Sequence, residues 1–366
     1  MNILLITNHL NVGGISSYLF TLASGLKEKG HNIYLASSGG ELADKFTESG
    51  ISHIKVALNT KKEISPKIIS SFFVLNKALK ANNIDLVHSN SRTTQVLGNL
   101  LSRAANIPHV FTCHGFFKPK LSRRLFPCWG EYIVAISQEV KEHLISDFKL
   151  NEAKICVINN GIDIKNFGDF SQRDNMRKNL GVKDEPLVGI IARLSDVKGH
   201  VYLIRAVHRV IKTFSSIKLL IVGDGKTREA LVKETEELGI KGYVLFLPKA
   251  GRTEDLLSAM DIFVMPSLQE GLGLALMEAM AQGLAVVGSK VGGIKTLIQD
   301  KINGLLVNPA DSQGLADAII ALLRDGQLRR SMGINARKFI SGYFAKEDMV
   351  DKTERIYNKC LGRRCQ

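Results

Sequence analysis

The chain has 366 residues, 45% hydrophobic and 23% charged, which places it among ordinary globular proteins and excludes disordered or fibrous classes. Its length favours two domains, and no apolar run approaches the roughly 18–20 residues that a membrane span needs. The formal net charge of +14 (49 basic against 35 acidic residues) favours an anionic partner: a nucleotide, a phosphorylated substrate, nucleic acid or a membrane surface.

NILLIT (2–7) reads as a first strand and not as a signal peptide, because no basic region precedes its apolar stretch. A glycine-containing turn and an apolar-periodic helix through Leu26 follow. NIYLAS (32–37), DLVHSN (85–90), HVFTCH (109–114) and YIVAIS (132–137) are the next predicted strands, each after a helical stretch. A second series starts at PLVGIIAR (186–193). It continues through KLLIVGDG (218–225), YVLFLP (243–248), DIFVMPS (261–267), GLAVVGS (283–289) and GLLVNP (304–309). Strands separated by helices of this length predict an α/β protein with parallel, doubly wound sheets. The polar stretch 163–174 marks the boundary between two units of similar size, and 343–360 reads as a last helix that packs on either one. Five cysteines, an odd number without a CxxC, read as reduced thiols of a cytosolic protein and not as a zinc site.

Open parallel sheets bind ligands outside the carboxyl ends of their strands, so those ends hold the candidate residues. Asn11–Val12–Gly13–Gly14 follows the first strand; its glycines and helix N-terminus suit a phosphate or a sugar, or form a plain turn. Its spacing is not the GxGxxG of dinucleotide sites. His114, at the end of HVFTC and before Gly115, could donate to a sugar hydroxyl or a phosphate oxygen, or serve structure alone. Arg193 and Lys198 stand five apart across a strand-to-helix loop, where two cations can converge on a diphosphate or simply be solvated. Gly225–Lys226–Thr227 imitates a phosphate-binding P-loop, but Leu220 stands where that motif requires glycine.

The densest stretch is EGLGLALMEAMAQGLAVVGSKVGG (270–293). Gly271–Leu272–Gly273 forms a turn into a helix over 274–281, whose first amides are free for an anion. Glu270 precedes the turn. Glu278 lies about two turns along the helix, roughly 10 Å away at 1.5 Å per residue. Two carboxylates so placed can hold the two ends of one ligand.

In this setting the E-x7-E pair resembles the retaining glycosyltransferases of family GT4. The likeness extends over most of the chain: the GG turn at 13–14, His114–Gly115, AIS at 135–137, NNGID at 159–163, R-x4-K at 193–198, VGDG at 222–225 and VGG…NGLLVNP at 291–309. The resemblance implies a GT-B fold, two Rossmann-like domains facing across a cleft. Residues 1–168, with the C-terminal segment 343–366 packed back on them, would form the acceptor side, and 169–342 the nucleotide-sugar domain. It implies that Arg193 and Lys198 clamp the donor diphosphate and that Glu278 takes the ribose. Glu270 and the amides of Gly271, Leu272, Gly273 and Leu274 would hold the donor sugar. Gly13 and Gly14 would approach the phosphates, with His114 at the reaction centre. Two departures stand out: Leu272 where the family often has phenylalanine, and Ile294–Lys295–Thr296 where it commonly has Ile-Pro-Glu.

The reaction so implied is sugar transfer with retention, His114 and Glu270 being the catalytic candidates. Cations and helix amides would stabilise the departing diphosphate. No metal is expected, because the chain lacks a DxD and any Asp/His cluster with ligand spacing. The expected partners are a nucleotide sugar, UDP-linked, and a glycan or lipid-linked acceptor in bacterial surface-glycan or glycolipid synthesis. Lysines and apolar residues interleave in 61–82, and cations and aromatics in 116–129; either mix could bind an anionic membrane surface or a lipid-linked acceptor, or be a solvated face over core residues, and 116–129 is the stronger candidate for the membrane contact, which would place a cytoplasmic protein peripherally. No nucleic-acid module is present, so nucleic acid is not an expected partner. A nucleotide-sugar epimerase or hydrolase, or an inactive scaffold of the same fold, are the competing readings.

Overall fold

The structure, a computed structural model, describes residues 1–60, 65–119, 123, 127–248 and 252–362. They divide into two compact units, Met1–Gly161 with the helix Lys346–Cys360, and Ile162–Ala345.

The first unit is built on β1 (Asn2–Ile6), β2 (Asn32–Ser37), β3 (Ser52–Lys55), β4 (Leu86–Ser89), β5 (His109–Cys113), β6 (Tyr132–Ala135) and β7 (Ile155–Val157). They hydrogen-bond in the order β3-β2-β1-β4-β5-β6-β7, and every pairing is parallel. Successive side chains of a strand point to opposite faces, and both faces are covered. Ile3 and Leu5 pack with Tyr18, Leu19 and Leu22 of helix Gly14–Glu28, and with Met349, Ile356 and Tyr357 of helix Lys346–Cys360. Leu4 and Ile6 pack on the other face with Leu75 and Leu79 of helix Pro66–Ala81 and Leu97 and Leu101 of helix Arg92–Ala105. This is why β1 reads as an unbroken apolar run. Ion pairs fasten the last helix: Lys29 Nζ lies 2.7 Å from Asp351 Oδ1 and 2.5 Å from Glu354 Oε2.

The second unit repeats the plan. Its strands β8 (Leu187–Ile191), β9 (Lys218–Val222), β10 (Val244–Leu247), β11 (Ile262–Met265), β12 (Ala285–Ser289) and β13 (Leu305–Val307) run in the order β10-β9-β8-β11-β12-β13, all parallel. Val188 and Ile190 of β8 pack with Leu203, Ile204 and Val207 of helix His200–Val210 and with Val264 and Val287. Both orders are those of a Rossmann-like sheet. The order reverses between β1 and β4 in the first unit and between β8 and β11 in the second, which makes the loops leaving those strands the expected ligand positions.

Two strands have no counterpart in the sequence reading. Ser52–Lys55 is a half-exposed edge strand without an apolar run, and Ile155–Val157 has only three residues. Conversely, the polar residues read as the ends of DLVHSN, HVFTCH and PLVGIIAR leave the ladder and open the loops that follow.

Candidate functional site

In the second unit, the loops after β8 and β11 meet at the reversal point. Leu194 N donates to Asp224 O at 2.9 Å, so the turn after β9 packs on the loop after β8. Leu268 N donates to Val197 O at 2.8 Å, which ties that loop to the one after β11. A short 3-10 turn, Asp196–Lys198, lifts Lys198 toward Glu270. Lys198 Nζ donates to Glu270 Oε2 at 2.5 Å, and Ser267 Oγ donates to the same oxygen at 3.3 Å. The side chains are 21% and 12% exposed, so the pair is half-withdrawn from water yet reachable. Arg193 is exposed at the start of the same loop, without an ion pair among the described residues. His200, which opens the next helix, is buried, and burial pushes its pKa down to about 4.

Glu270 leads into Gly271–Leu272–Gly273 and helix Leu274–Gln282. Gly273 has φ +97°, a left-handed conformation that glycine adopts without strain. Leu276 and Met277 amides both donate to Gly273 O at 3.0 Å. The amides of Leu274 and Ala275 precede the first helical donor, Leu276, and point out of the helix end. The Leu272 side chain is buried, which leaves only its backbone to meet a ligand. Glu278 is half-buried on a helix whose Met277, Ala279 and Met280 are in the core. A Cβ at Gly292 would overlap the carbonyl of Glu270, and one at Gly293 would lie 2.5 Å from Leu272 Cα. Gly293 N donates to Glu270 O at 3.2 Å. These two glycines let the loop after β12 press on the backbone that carries Glu270.

In the first unit, Gly13 precedes helix Gly14–Glu28. Its φ of 171° is extended backbone, which any residue adopts, and nothing lies within 4 Å of a Cβ placed on exposed Gly14. Neither glycine is demanded by local packing. His114, just past β5, is half-buried and meets the Tyr18 ring edge-on at 4.7 Å. Burial pushes its pKa down to about 3, so the ring is neutral at physiological pH. Its Nε2 lies 3.3 Å from Asn90 Oδ1, while Asn90 Nδ2 lies 3.4 Å from the His88 carbonyl. A carbonyl can only accept, which fixes the amide orientation: Oδ1 faces His114, Nε2 must carry the proton, and Nδ1 is left with a lone pair.

Beneath His114 lies a buried polar chain. His88 Nδ1 is 2.5 Å from Tyr357 Oη and His88 Nε2 is 2.7 Å from Thr112 Oγ1, which in turn is 3.2 Å from Tyr18 Oη. Burial pushes His88 down to about 3 and Tyr18 up to about 12, so both stay neutral. Cys113 is likewise held as a thiol, at about 12, by burial.

The structure thus brings together Lys198, Glu270 and the 271–273 turn, with Arg193 on the same loop. It places Gly13, Gly14 and His114 at strand exits of the first unit. The roles of Asn90 and of the Gly292–Gly293 pair are not legible in the sequence, because each acts on a residue more than twenty positions away, and Ser267 reads only as the end of a strand. In 116–129 Trp129 is buried and meets Phe148 at 5.1 Å, while Phe116 and Phe117 are half-buried, Phe117 stacking on Phe111 at 6.3 Å. Of the two stretches in which cations and apolar residues interleave, 61–64, 120–122 and 124–126 lie outside the described residues.

Two family models account for most of the chain: "Glycosyltransferase Family 4" over residues 12–166 and "Glycosyl transferases group 1" over residues 171–339. Among curated relatives, the N-acetyl-alpha-D-glucosaminyl L-malate synthase of Bacillus anthracis is 29% identical over 97% of this chain and 96% of its own. The UDP-Gal:alpha-D-GlcNAc-diphosphoundecaprenol alpha-1,3-galactosyltransferase of Escherichia coli is 29% identical over 80% and 79%. Among solved structures, Anabaena HepE in complex with UDP and glucose superposes with a TM-score of 0.87 at 23% identity, covering 98% of this chain and 100% of that one.

Proposed function

The chain belongs to the family 4, group 1 glycosyltransferases and has their α/β GT-B fold of two Rossmann-like domains; on that premise we propose that it moves a sugar, with retention, from a UDP-sugar to a glycan or lipid-linked acceptor. The observation that carries the donor assignment is the Lys198–Glu270 pair, 2.5 Å apart at the point where the strand order reverses. Lys198 and exposed Arg193 take the diphosphate, which gains charge as the sugar leaves. The amides of Gly271 to Leu274 supply neutral donors beside it, and Glu270 accepts from sugar hydroxyls. Glu278 takes the ribose diol. The open space over Gly14 leaves room for phosphate oxygens at the N-terminus of its helix.

His114 has a narrower role than sequence alone allowed. A neutral ring with its lone pair on Nδ1 accepts a hydrogen bond, so it reads a hydroxyl and not a phosphate oxygen. In the retaining step the acceptor oxygen attacks the face from which the diphosphate departs, and the departing phosphate oxygen takes the acceptor's proton. Cations and amides carry the developing charge in this scheme, which is therefore written without a metal ion. The Escherichia coli relative is named for a UDP-sugar donor and a lipid-diphosphate acceptor, which supports the same classes here. Calorimetric titration of UDP, GDP and ADP tests the reading. UDP is expected to bind with micromolar affinity and Glu278→Ala to weaken it; failure of all three nucleotides to bind would overturn the donor site.

A further inference from the structure

Helix Pro66–Ala81 is apolar on two faces. It buries Ile68, Leu75 and Leu79 in the core. Outward it shows Ile69, Phe73 and Val74, which are 56%, 67% and 51% exposed. Single exposed hydrophobics are ordinary, but three within six residues make a patch. Leu100, on the neighbouring helix Arg92–Ala105, is exposed too. At 100° per residue, Ile69, Phe73, Lys77 and Lys80 fall in one sector of the outer face, with Val74 and Lys67 at its margin. The helix carries three lysines and no acidic residue. Lys67 Nζ donates to Asn59 Oδ1 at 2.7 Å, while Lys77 and Lys80 make no ion pair among the described residues.

We propose that this face rests on an anionic lipid surface. Ile69, Phe73 and Val74 enter the headgroup boundary while Lys77 and Lys80 meet lipid phosphates. Neither signal holds a protein at a bilayer alone, and the helix combines both. A water-facing helix gains nothing from a phenylalanine and an isoleucine one turn apart. The uniform sign of its charges fits a bilayer better than an ordinary protein surface, which carries both signs.

The test is co-sedimentation of the full chain with vesicles of phosphatidylglycerol and phosphatidylcholine at low salt, against vesicles of phosphatidylcholine alone. The wild type is expected to pellet with the anionic vesicles only. Lys77→Gln and Lys80→Gln should each weaken partition about fivefold. Ile69→Ser with Phe73→Ser should weaken it about tenfold or more. Ile334→Ser, which alters an equally exposed residue of the second unit, should leave it unchanged. Thermal unfolding of each variant separates lost binding from lost fold. A wild type that stays in the supernatant overturns the proposal, as does a folded serine double variant that pellets normally. A chain that ignores vesicles but forms dimers broken by Phe73→Ser would reassign the face to a second copy. None of these outcomes bears on UDP binding, so the donor assignment stands or falls separately.

Discussion

Replacing Lys198 by alanine removes the cation best placed for a diphosphate. The ammonium is 21% exposed and already oriented at 2.5 Å from Glu270. A charge-assisted hydrogen bond in such a setting contributes about 1.5–3 kcal/mol. Lys198→Ala should therefore weaken UDP binding about 10- to 150-fold, since 1.4 kcal/mol is a factor of ten. Glu270→Gln makes the complementary case. It frees Lys198 from its carboxylate, so UDP affinity should hold or rise. Sugar transfer should nonetheless fall about 10²- to 10³-fold if Glu270 contacts the sugar in the transition state. Titration calorimetry reads the first quantity and initial rates of UDP release with acceptor present read the second. The reasoning is refuted if Lys198→Ala binds UDP within twofold of wild type, or if Glu270→Gln weakens UDP as much as Lys198→Ala does.

Gly292→Ala should drive a methyl group into the carbonyl of Glu270 and destabilise the second unit by about 1–3 kcal/mol, read as a lowered thermal midpoint; an unchanged midpoint would show that the loop yields freely. His88, His109 and His114 are held near 3 and His200 near 4, all by burial. The unfolded chain therefore binds more protons than the native one below about pH 6.5, and stability should fall as pH drops through that value. Urea midpoints at pH 7.5 and 5.5 check this, and equal midpoints would contradict it. His114→Phe should lower transfer without altering the midpoint of its pH profile between pH 6 and 8, because the native ring does not titrate there; a limb that disappears with the mutation would contradict the neutral assignment. Transfer activity should survive excess chelator within about twofold, and its abolition would demand a metal-dependent scheme.

Much of this architecture is legible in the sequence because buried parallel strands announce themselves as apolar runs. β1, β2 and β8 do so plainly; β3 does not, since an edge strand facing water needs no such run. The loop positions of Arg193, Lys198, Glu270 and His114 follow from where the runs stop. What the chain order hides is who meets whom. Lys198 and Glu270, 72 residues apart, read as two separate ligand contacts, and only the strand order makes them a pair. The glycines at 292 and 293 enter the sequence reading only as part of a family motif, whereas their missing side chains make room for another backbone. Which nitrogen of His114 holds the proton is likewise hidden, because it depends on Asn90, 24 residues earlier.

The last helix gives the molecule an order of assembly. Ile162–Ala345 is one unbroken stretch, whereas the first unit needs both Met1–Gly161 and the helix from Lys346. During synthesis, at about 5–20 residues per second, the second unit can fold as soon as its own stretch has left the ribosome. The first must wait with part of its sheet uncovered and His88 without its tyrosine until residue 357 emerges. A nascent chain should accordingly expose apolar surface from its oldest segment longest, and that segment is where a chaperone would be expected to bind.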